Sequence, residues 1–520
     1  MRRAALLRAL QLRAAAAAPG ALESSVAAQG APLGASLLAA TLAALPAAAN
    51  PALSTLGSSS GPQQQRGISA AAILLSEAGK AGAGGGSGGS SGSSTAPPEA
   101  TAAAPPADEP EGAMYGSEDE EDEEAEAAMA EAFERLIQAA FEMVQQGKPM
   151  EADYVLTEGA KQAAEILGPD ALELAALYDQ LCIIRFLHER MEEAGEAAKQ
   201  ALDILKRHDD GFGPATAIAA TRYASTLLAT GSPQEAQLYS ARSIDSLEKA
   251  MGMMAEIQPE DDEDEAELAD TREKFEMGLG ESRFYHGLAK QAQNLTPAAV
   301  GQHMDEMRQG LQAMAQHLGP DSPLIAAALR EHSRLIMSAL EQDQLELAEA
   351  LYMQDAKLHM AVGSNFEHVA LTLYQCGTLQ YVMGKYATAA DSLKMSLQTV
   401  RKHYPQAEEH MLTVQQRLGM VLAMLGKHEQ AREMLHDVAP ALMGNLGEGN
   451  PASEELEFML ALIGLKEMEA DGVTDAARRQ QLLSAMEEHL AKLSAYGDEH
   501  MLVKKAQQLH AEAVGSGGAT

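Results

Sequence analysis

One short phrase recurs along this chain at a fixed interval. Gly147-Lys148-Pro149-Met150-Glu151-Ala152, His188-Glu189-Arg190-Met191-Glu192-Glu193-Ala194 and Gly231-Ser232-Pro233-Gln234-Glu235-Ala236 are three versions of a turn followed by a helix start. Gly384-Lys385-Tyr386-Ala387-Thr388-Ala389 and Gly426-Lys427-His428-Glu429-Gln430-Ala431 are two more. The closing alanines at 152, 194 and 236 lie 42 residues apart, as do those at 389 and 431. A period of this length marks an array of stacked units, each with an apolar face that only its neighbour can cover. The phrase predicts an all-α fold, a solenoid of antiparallel helix pairs, and such an array runs to 520 residues without many separate cores.

Composition agrees with helices and excludes several functions. Tryptophan is absent and aromatic residues make up 4% of the chain, which disfavours a sandwich or barrel built on aromatic and β-branched side chains. The formal net charge of −37 argues against nucleic acid and against an anionic membrane surface, since both require clustered Lys and Arg. Two cysteines, Cys182 and Cys376, cannot form a disulfide framework. No stretch is long and apolar enough for an integral membrane segment.

The N-terminus reads as an address. Arg2, Arg3, Arg8 and Arg13 lie among Ala and Leu, and Glu23 is the only acid before residue 70. Basic, acid-poor starts of this kind are organellar presequences. Arg66-Gly67-Ile68-Ser69 resembles a mitochondrial processing site, so residues 1–68 are expected to be a targeting segment cleaved near Ile68. A chloroplast or lumenal route is the competing address, because Leu33 to Ala49 has the look of an apolar region closing on small residues. Residues 69–124 combine a Gly/Ser/Ala/Pro linker with an acidic run that starts at Glu118 and is expected to stay disordered. Ser117 ahead of that run looks like an acidophilic kinase site, against the simpler reading of a solvated spacer.

The ordered body is expected from Ala125 to Val514. Leu136, Ile137, Ala140, Phe141 and Val144 form one apolar helical face, and Glu151 to Leu167 the helix paired with it. Units close on Leu167-Gly168-Pro169-Asp170, Leu318-Gly319-Pro320-Asp321 and Leu446-Gly447-Glu448-Gly449-Asn450-Pro451, a helix stop followed by a cap for the next helix. Regular units are expected over 125–252 and 374–454, degenerate units with an acidic insertion over 253–373, and a worn repeat with a capping helix over 455–514. The second acidic run, Glu260 to Glu267, predicts a loop over 256–270, and the next helix is expected from Thr296 to Leu318.

These residues resemble the tetratricopeptide repeat in the 42-residue form of kinesin light chains. That family places small residues at the eighth, twentieth and twenty-seventh positions, where paired helices touch. The resemblance assigns this packing role to Ala140, Ala152 and Gly159; to Cys182, Ala194 and Ala201; to Ala224, Ala236 and Ser243; to Gly377, Ala389 and Ser396; and to Gly419, Ala431 and Val438. Cys182 falls on a packing position and Cys376 beside one, so both are read as structural. Two units depart: one has His303 and Gly310 at small positions, and the other keeps Ala348 but has Ile336 and Asp355.

The resemblance also implies a concave groove for protein or peptide partners. Its positions project onto Asp179, Ile183 and Phe186; Arg330, Ser333 and Met337; Leu371, Tyr374, Thr378 and Tyr381; and Gln416 and Met420. Packing between neighbouring units is the equally simple reading of Tyr374 and Tyr381. The Lys and Asn clamp of chaperone-binding relatives is missing from these positions.

A search for chemistry finds no catalytic, cofactor-binding or metal-ligating motif. His188-Glu189 and His428-Glu429 start like zinc-protease helices, but neither has the second His. Gly278-Leu279-Gly280 lacks the third glycine of a dinucleotide loop, and the 15 His look scattered over exposed helix positions. The sequence therefore predicts no enzyme, no cofactor and no metal site, but a mitochondrial protein-interaction scaffold that assists assembly or maintenance of a respiratory complex. A cytosolic cargo adaptor of the kinesin-light-chain kind and a chloroplast scaffold are the alternatives.

Overall fold

The computed structural model describes residues 132–515, apart from 145, 210–211, 260–261, 364, 447–449, 496 and 498–499. The targeting segment, the linker, the first acidic run, Ser117 and the start of the body at 125–131 lie outside the described residues. Among those described there is no strand, and no helix is long and apolar enough to cross a membrane. The chain divides into two compact units, residues 132–226 with Gly252–Lys274, and Leu227–Met251 with 275–515.

The first unit contains α1 (132–144), α2 (Pro149–Leu167), α3 (Leu172–Leu187), α4 (Met191–His208) and α5 (Pro214–Ala229) as far as Thr226. Helices α2, α3 and α4 each pack on the next. In α4, eight buried residues from Met191 to Leu205 lie at helical spacing, while Glu192 and Glu193 open the helix and Lys206, Arg207 and His208 close it. Acid at the start and base at the end oppose the partial charges of the helix dipole.

The second unit takes in most of α6 (Pro233–Met254) and of α7 (Asp262–Gln293), followed by α8 (Met304–Leu318), α9 (Pro323–Glu341) and α10 (Leu345–Val362). After these come α11 (Phe366–Val382), α12 (Tyr386–His403), α13 (Glu408–Met424), α14 (His428–Leu446), α15 (Pro451–Ala470), α16 (Ala476–Ser494) and α17 (Met501–Gly515). From α8 onward every helix packs on its successor, and α8–α10, α11–α13, α13–α15 and α15–α17 also touch. One apolar core extends from Tyr381 to Ala513 and includes Val503, Ala506 and Leu509 of α17, so the final helix closes the core of this unit.

The recurring phrase is a recurring turn. The N–H of Lys148 donates to the Met143 carbonyl and that of Gly147 to Val144. The same two bonds, six-to-one outside and a shorter one inside, recur at Arg190/Glu189, Ser232/Gly231, Gln344/Asp343, Lys385/Gly384, Lys427/Gly426 and Val473/Gly472. They satisfy the last free carbonyls of each helix and require one left-handed residue. Glycine fills it with φ between 64° and 86° at 147, 231, 384, 426 and 472, while Glu189 (φ 61°) and Asp343 (φ 56°) fill it without glycine's freedom.

The packing residues named from the resemblance are all buried, Ala140, Ala152, Ala194, Ala201, Ala224, Ala236, Ala389 and Ala431 to 2% exposure or less, and Gly159, Gly377 and Gly419 with them. A Cβ on Gly377 would stand 2.7 Å from Leu393, and one on Gly419 2.7 Å from Leu435, the same contact one period later. Cys182 and Cys376 are buried. Burial, with Glu349 nearby, pushes the Cys376 thiol up to about 12, which leaves it an inert packing group.

Three expectations need correction. The acidic run is not all loop: residues 262–270 belong to α7, where carboxylates in the first turns are favoured by the helix dipole. The helix expected from Thr296 begins only at Met304, after a series of turns. Ser322 and Asn450 do cap α9 and α15, accepting from Leu324 and Ala452. Asp170 instead pairs with Arg207 at 2.6 Å, and α3 starts without a side-chain cap.

Candidate functional site

The projected groove residues are for the most part inside the array. Asp179, Ile183, Phe186, Thr378, Tyr381, Gln416 and Met420 are buried, whereas Arg330, Ser333, Leu371 and Tyr374 are half-buried and Met337 is exposed. The buried ones have packing or pairing roles. Asp179 faces the Arg222 guanidinium at 3.3 Å, with both side chains under 8% exposed. Burial pushes the Asp179 carboxyl up against the opposing pull of Arg222. Gln416 donates to the Ala452 carbonyl at 2.7 Å. Tyr381 lies beneath the Arg417 guanidinium, 5.4 Å from ring to cation, with its hydroxyl against Met459. Arg417 in turn makes a two-armed pair with Glu455, at 2.5 and 2.9 Å. These positions therefore cannot meet a partner without unpacking the helices, and Met337 is the projected contact that solvent reaches freely.

The second unit instead gathers polar chemistry around Asp355. This residue stands at the twenty-seventh position of its repeat, seven after Ala348, where the regular units have Ser396 and Val438. Ser396 is buried and bonds the Ala370 carbonyl at 2.6 Å, but Asp355 brings a carboxylate to the same depth. It is 1% exposed, and an unpaired charge there would cost several kcal/mol.

Helices α9, α10 and α11 supply its partners. His332 Nδ1 meets Asp355 Oδ1 at 3.0 Å and the Ser333 hydroxyl meets the same oxygen at 3.3 Å. On the other oxygen, His368 Nε2 lies at 3.1 Å and the Thr372 hydroxyl donates at 3.3 Å. His359, one helical turn after Asp355 on α10, brings its Nε2 to 3.8 Å from Oδ2. A mutual amide pair, Gln291 with Gln354 at 2.8 and 2.9 Å, braces the far side, where His332 Nε2 reaches Gln354 at 3.1 Å.

Local sequence explains the placement of each ring. Spacing of four residues puts Asp355 and His359 on one face of α10. Gly363 (φ 79°) ends α10 and Asn365 (φ 47°) starts α11, its side chain accepting from the His368 N–H at 3.1 Å. His368 in the first turn of α11 lies over the last turn of α10, where the His359 and His368 rings meet with centroids 4.1 Å apart and their planes tilted by 33°.

Electrostatics separate the members. Burial works to raise the Asp355 carboxyl, but hydrogen bonds from His332 and His368 outweigh it and hold the group ionised, well below the usual carboxylate range. His359 is 5% exposed, and neither of its ring nitrogens has a hydrogen-bond partner. Burial pushes its imidazole down to about 4, so it stays neutral at physiological pH. The side chain of His368 is 33% exposed and opens the cluster to solvent. One ligand atom from each of Asp355, His359 and His368 lies within 4.8 Å of the other two.

Sequence reasoning missed this cluster. It treated the histidines as scattered and exposed, whereas His332 is wholly buried and His359 nearly so. The available signal was Asp355 itself, an acid at a small-residue position, followed four residues later by a histidine.

No family model matches the chain, and no curated protein matches it. Among solved structures, the chain is similar to aspartyl phosphate phosphatase F from Bacillus subtilis, at 18% identity over 73% of this chain and 92% of that one, with a TM-score of 0.25. It is also similar to the TPR domain of P58(IPK), at 14% identity over 73% of this chain and 99% of that one, with a TM-score of 0.18.

Proposed function

We propose that this chain is a non-catalytic scaffold of the tetratricopeptide kind, in the 42-residue kinesin-light-chain form, which holds protein clients in mitochondria and assists the assembly or upkeep of a respiratory complex. The observation that supports a scaffold is the repeated use of one turn and one set of buried small residues, from Gly147 and Ala152 to Gly426 and Ala431. Such a construction gives most of its sequence to stacking helix pairs, and stacked pairs offer long surfaces to other chains. Exposed Met337 on α9 is the projected groove residue that a client would touch. The mitochondrial part of the reading rests on the basic, acid-poor start of the sequence.

The test is affinity purification of the full chain and of Met337→Glu from isolated mitochondria, with partners identified by mass spectrometry. The scaffold reading expects an inner-membrane complex with the wild type and its loss with the variant. Recovery of motor heavy chains would support the cytosolic cargo adaptor instead. A fluorescent protein fused behind residues 1–75 should enter mitochondria, and its appearance in plastids would favour the chloroplast scaffold.

A further inference from the structure

We propose that Asp355, His359 and His368 form a binding site for one divalent transition-metal ion of the zinc class. The argument starts from His359. An imidazole that is 5% exposed with both nitrogens unmet has lost its bonds to water and gained none in return. Its Nε2 faces the Asp355 carboxylate from 3.8 Å, too far for a hydrogen bond. An ion accepting both lone pairs satisfies the nitrogen and neutralises part of the buried carboxylate charge.

Ligand type, spacing and surroundings all fit. Two imidazoles and one carboxylate are the N/O donor set of zinc sites that keep an open position. Ligands about 2.0–2.2 Å from a tetrahedral ion stand roughly 3.3–3.6 Å from one another. Here the Asp355 Oδ2 separations are 3.1 Å to His368 Nε2 and 3.8 Å to His359 Nε2, and the ligand atoms of the two rings lie within 4.8 Å of each other, so side-chain movement toward a common point completes the set. His368 gives up its hydrogen bond to Asp355, the Nε2 proton passes through solvent to Nδ1 or is released to it, and the freed Nε2 lone pair turns to the ion. The carboxylate already has its outer contacts: His332 and Ser333 fix the non-ligating oxygen of Asp355, and Thr372 steadies the other. His368 forms the solvent side, and a fourth position there would carry water.

The site is independent of the client question, because it requires only the fold of α9, α10 and α11. Cobalt(II) and zinc(II) are the probes, added to the full chain after chelator treatment. Wild-type protein should bind one cobalt ion with the intense visible absorption of a tetrahedral, nitrogen-containing site, be displaced by zinc, and gain thermal stability with either ion. His368→Gln removes a ligand at a partly exposed position. It should keep the same circular dichroism and lower the affinity by at least the roughly 10–100-fold that outer-contact changes cost. His359→Gln should do the same and lose the metal-dependent gain in Tm. Two results would overturn the site: cobalt binding with only the weak absorption of oxygen-bound octahedral ions, as the acidic runs would give, or equal affinity and stoichiometry in wild type and His368→Gln.

Discussion

Within the second unit, residues 374–454 and residues 296–373 build helix pairs in opposite ways. The first stretch repeats its contacts: Gly377 against Leu393 and Gly419 against Leu435, with Ala389 and Ala431 fully buried. Its Arg417 forms a deep ion pair with Glu455, just past the end of the stretch, in which each arm of the guanidinium meets an oxygen of the carboxylate while Nε stays unpartnered. The second stretch keeps Ala348 and the left-handed turn residue, but carries Asp355 where a small side chain belongs. Four donors surround that carboxylate, yet His359 beside it stays unbonded. A repeat array therefore tolerates buried charge in two forms, one an ion pair matched charge to charge, the other a carboxylate with an unbonded imidazole beside it. The second form is where a function separate from stacking can sit.

The sharpest way to test the ion pair is to remove one partner. Arg417→Ala leaves Glu455 buried and uncompensated and should cost about 3–5 kcal/mol in urea unfolding. The paired change Arg417→Met with Glu455→Leu should recover most of that loss, because the pair's own desolvation penalty disappears as well. If the double variant is as unstable as the single one, the pair is not a replaceable structural element and the contrast with Asp355 weakens.

Close approach of helices differs between the two stretches as well. A Cβ on Gly310 would come within 2.5 Å of the Gly280 carbonyl oxygen and 2.7 Å of the Phe284 nitrogen, both backbone atoms. At Gly419 the obstacle is the Leu435 side chain, which has other rotamers available. Gly310→Ala should therefore cost about 3 kcal/mol, the upper end for overpacking, and Gly419→Ala about 1 kcal/mol. Equal losses in thermal or urea unfolding would mean that α7 and α8 can move apart as easily as Leu435 can turn.

What the sequence made legible follows from this contrast. Small side chains at a fixed interval report helix contacts directly, so Ala152, Ala194, Ala389 and Ala431 could be placed without coordinates. The turn was legible for the same reason, and even Glu189 marks a glycine position by its distance of 42 residues from Gly147. The cluster was not, because its members come from three helices and each ring alone looks like any surface histidine. Asp355 and His359 are neighbours on one helix, but His332 lies 23 residues before Asp355 and His368 13 residues after it. The burial of many projected groove positions was illegible for a related reason. The projection transfers positions but not what covers them, and here Arg417 and Met459 cover Tyr381, while Arg222 occupies Asp179.

The turn gives a smaller test that makes the irregular stretch more regular. Asp343 is held at φ 56° where the other stretch uses Gly384 and Gly426. A left-handed side-chain residue costs about 1–2 kcal/mol, partly offset in a glycine variant by the greater freedom of its unfolded chain. Asp343→Gly should therefore stabilise the protein by about 1 kcal/mol, and Gly426→Ala should destabilise it by a similar amount. A destabilised Asp343→Gly would show that the aspartate makes a compensating contribution beyond its backbone angle.

The smallest expected effect concerns acid, and it falls in the regular stretch. His410 on α13 is half-buried, and its Nε2 has no hydrogen-bond partner. Burial holds its pKa below the usual 6.5, against the opposing pull of Glu367 and Glu409. The unfolded chain therefore binds a proton more readily than the folded one as pH falls through 6.5, and linkage makes stability decline with acidification in that range. Above 6.5 neither state is protonated at this residue and the contribution is level. His410→Gln keeps the size of the side chain and removes the titration, so its urea midpoint should fall less than the wild type's between pH 7.5 and 5.5. Parallel curves for the two proteins would place the acid sensitivity elsewhere, and the Asp355 cluster would then be the region to vary next.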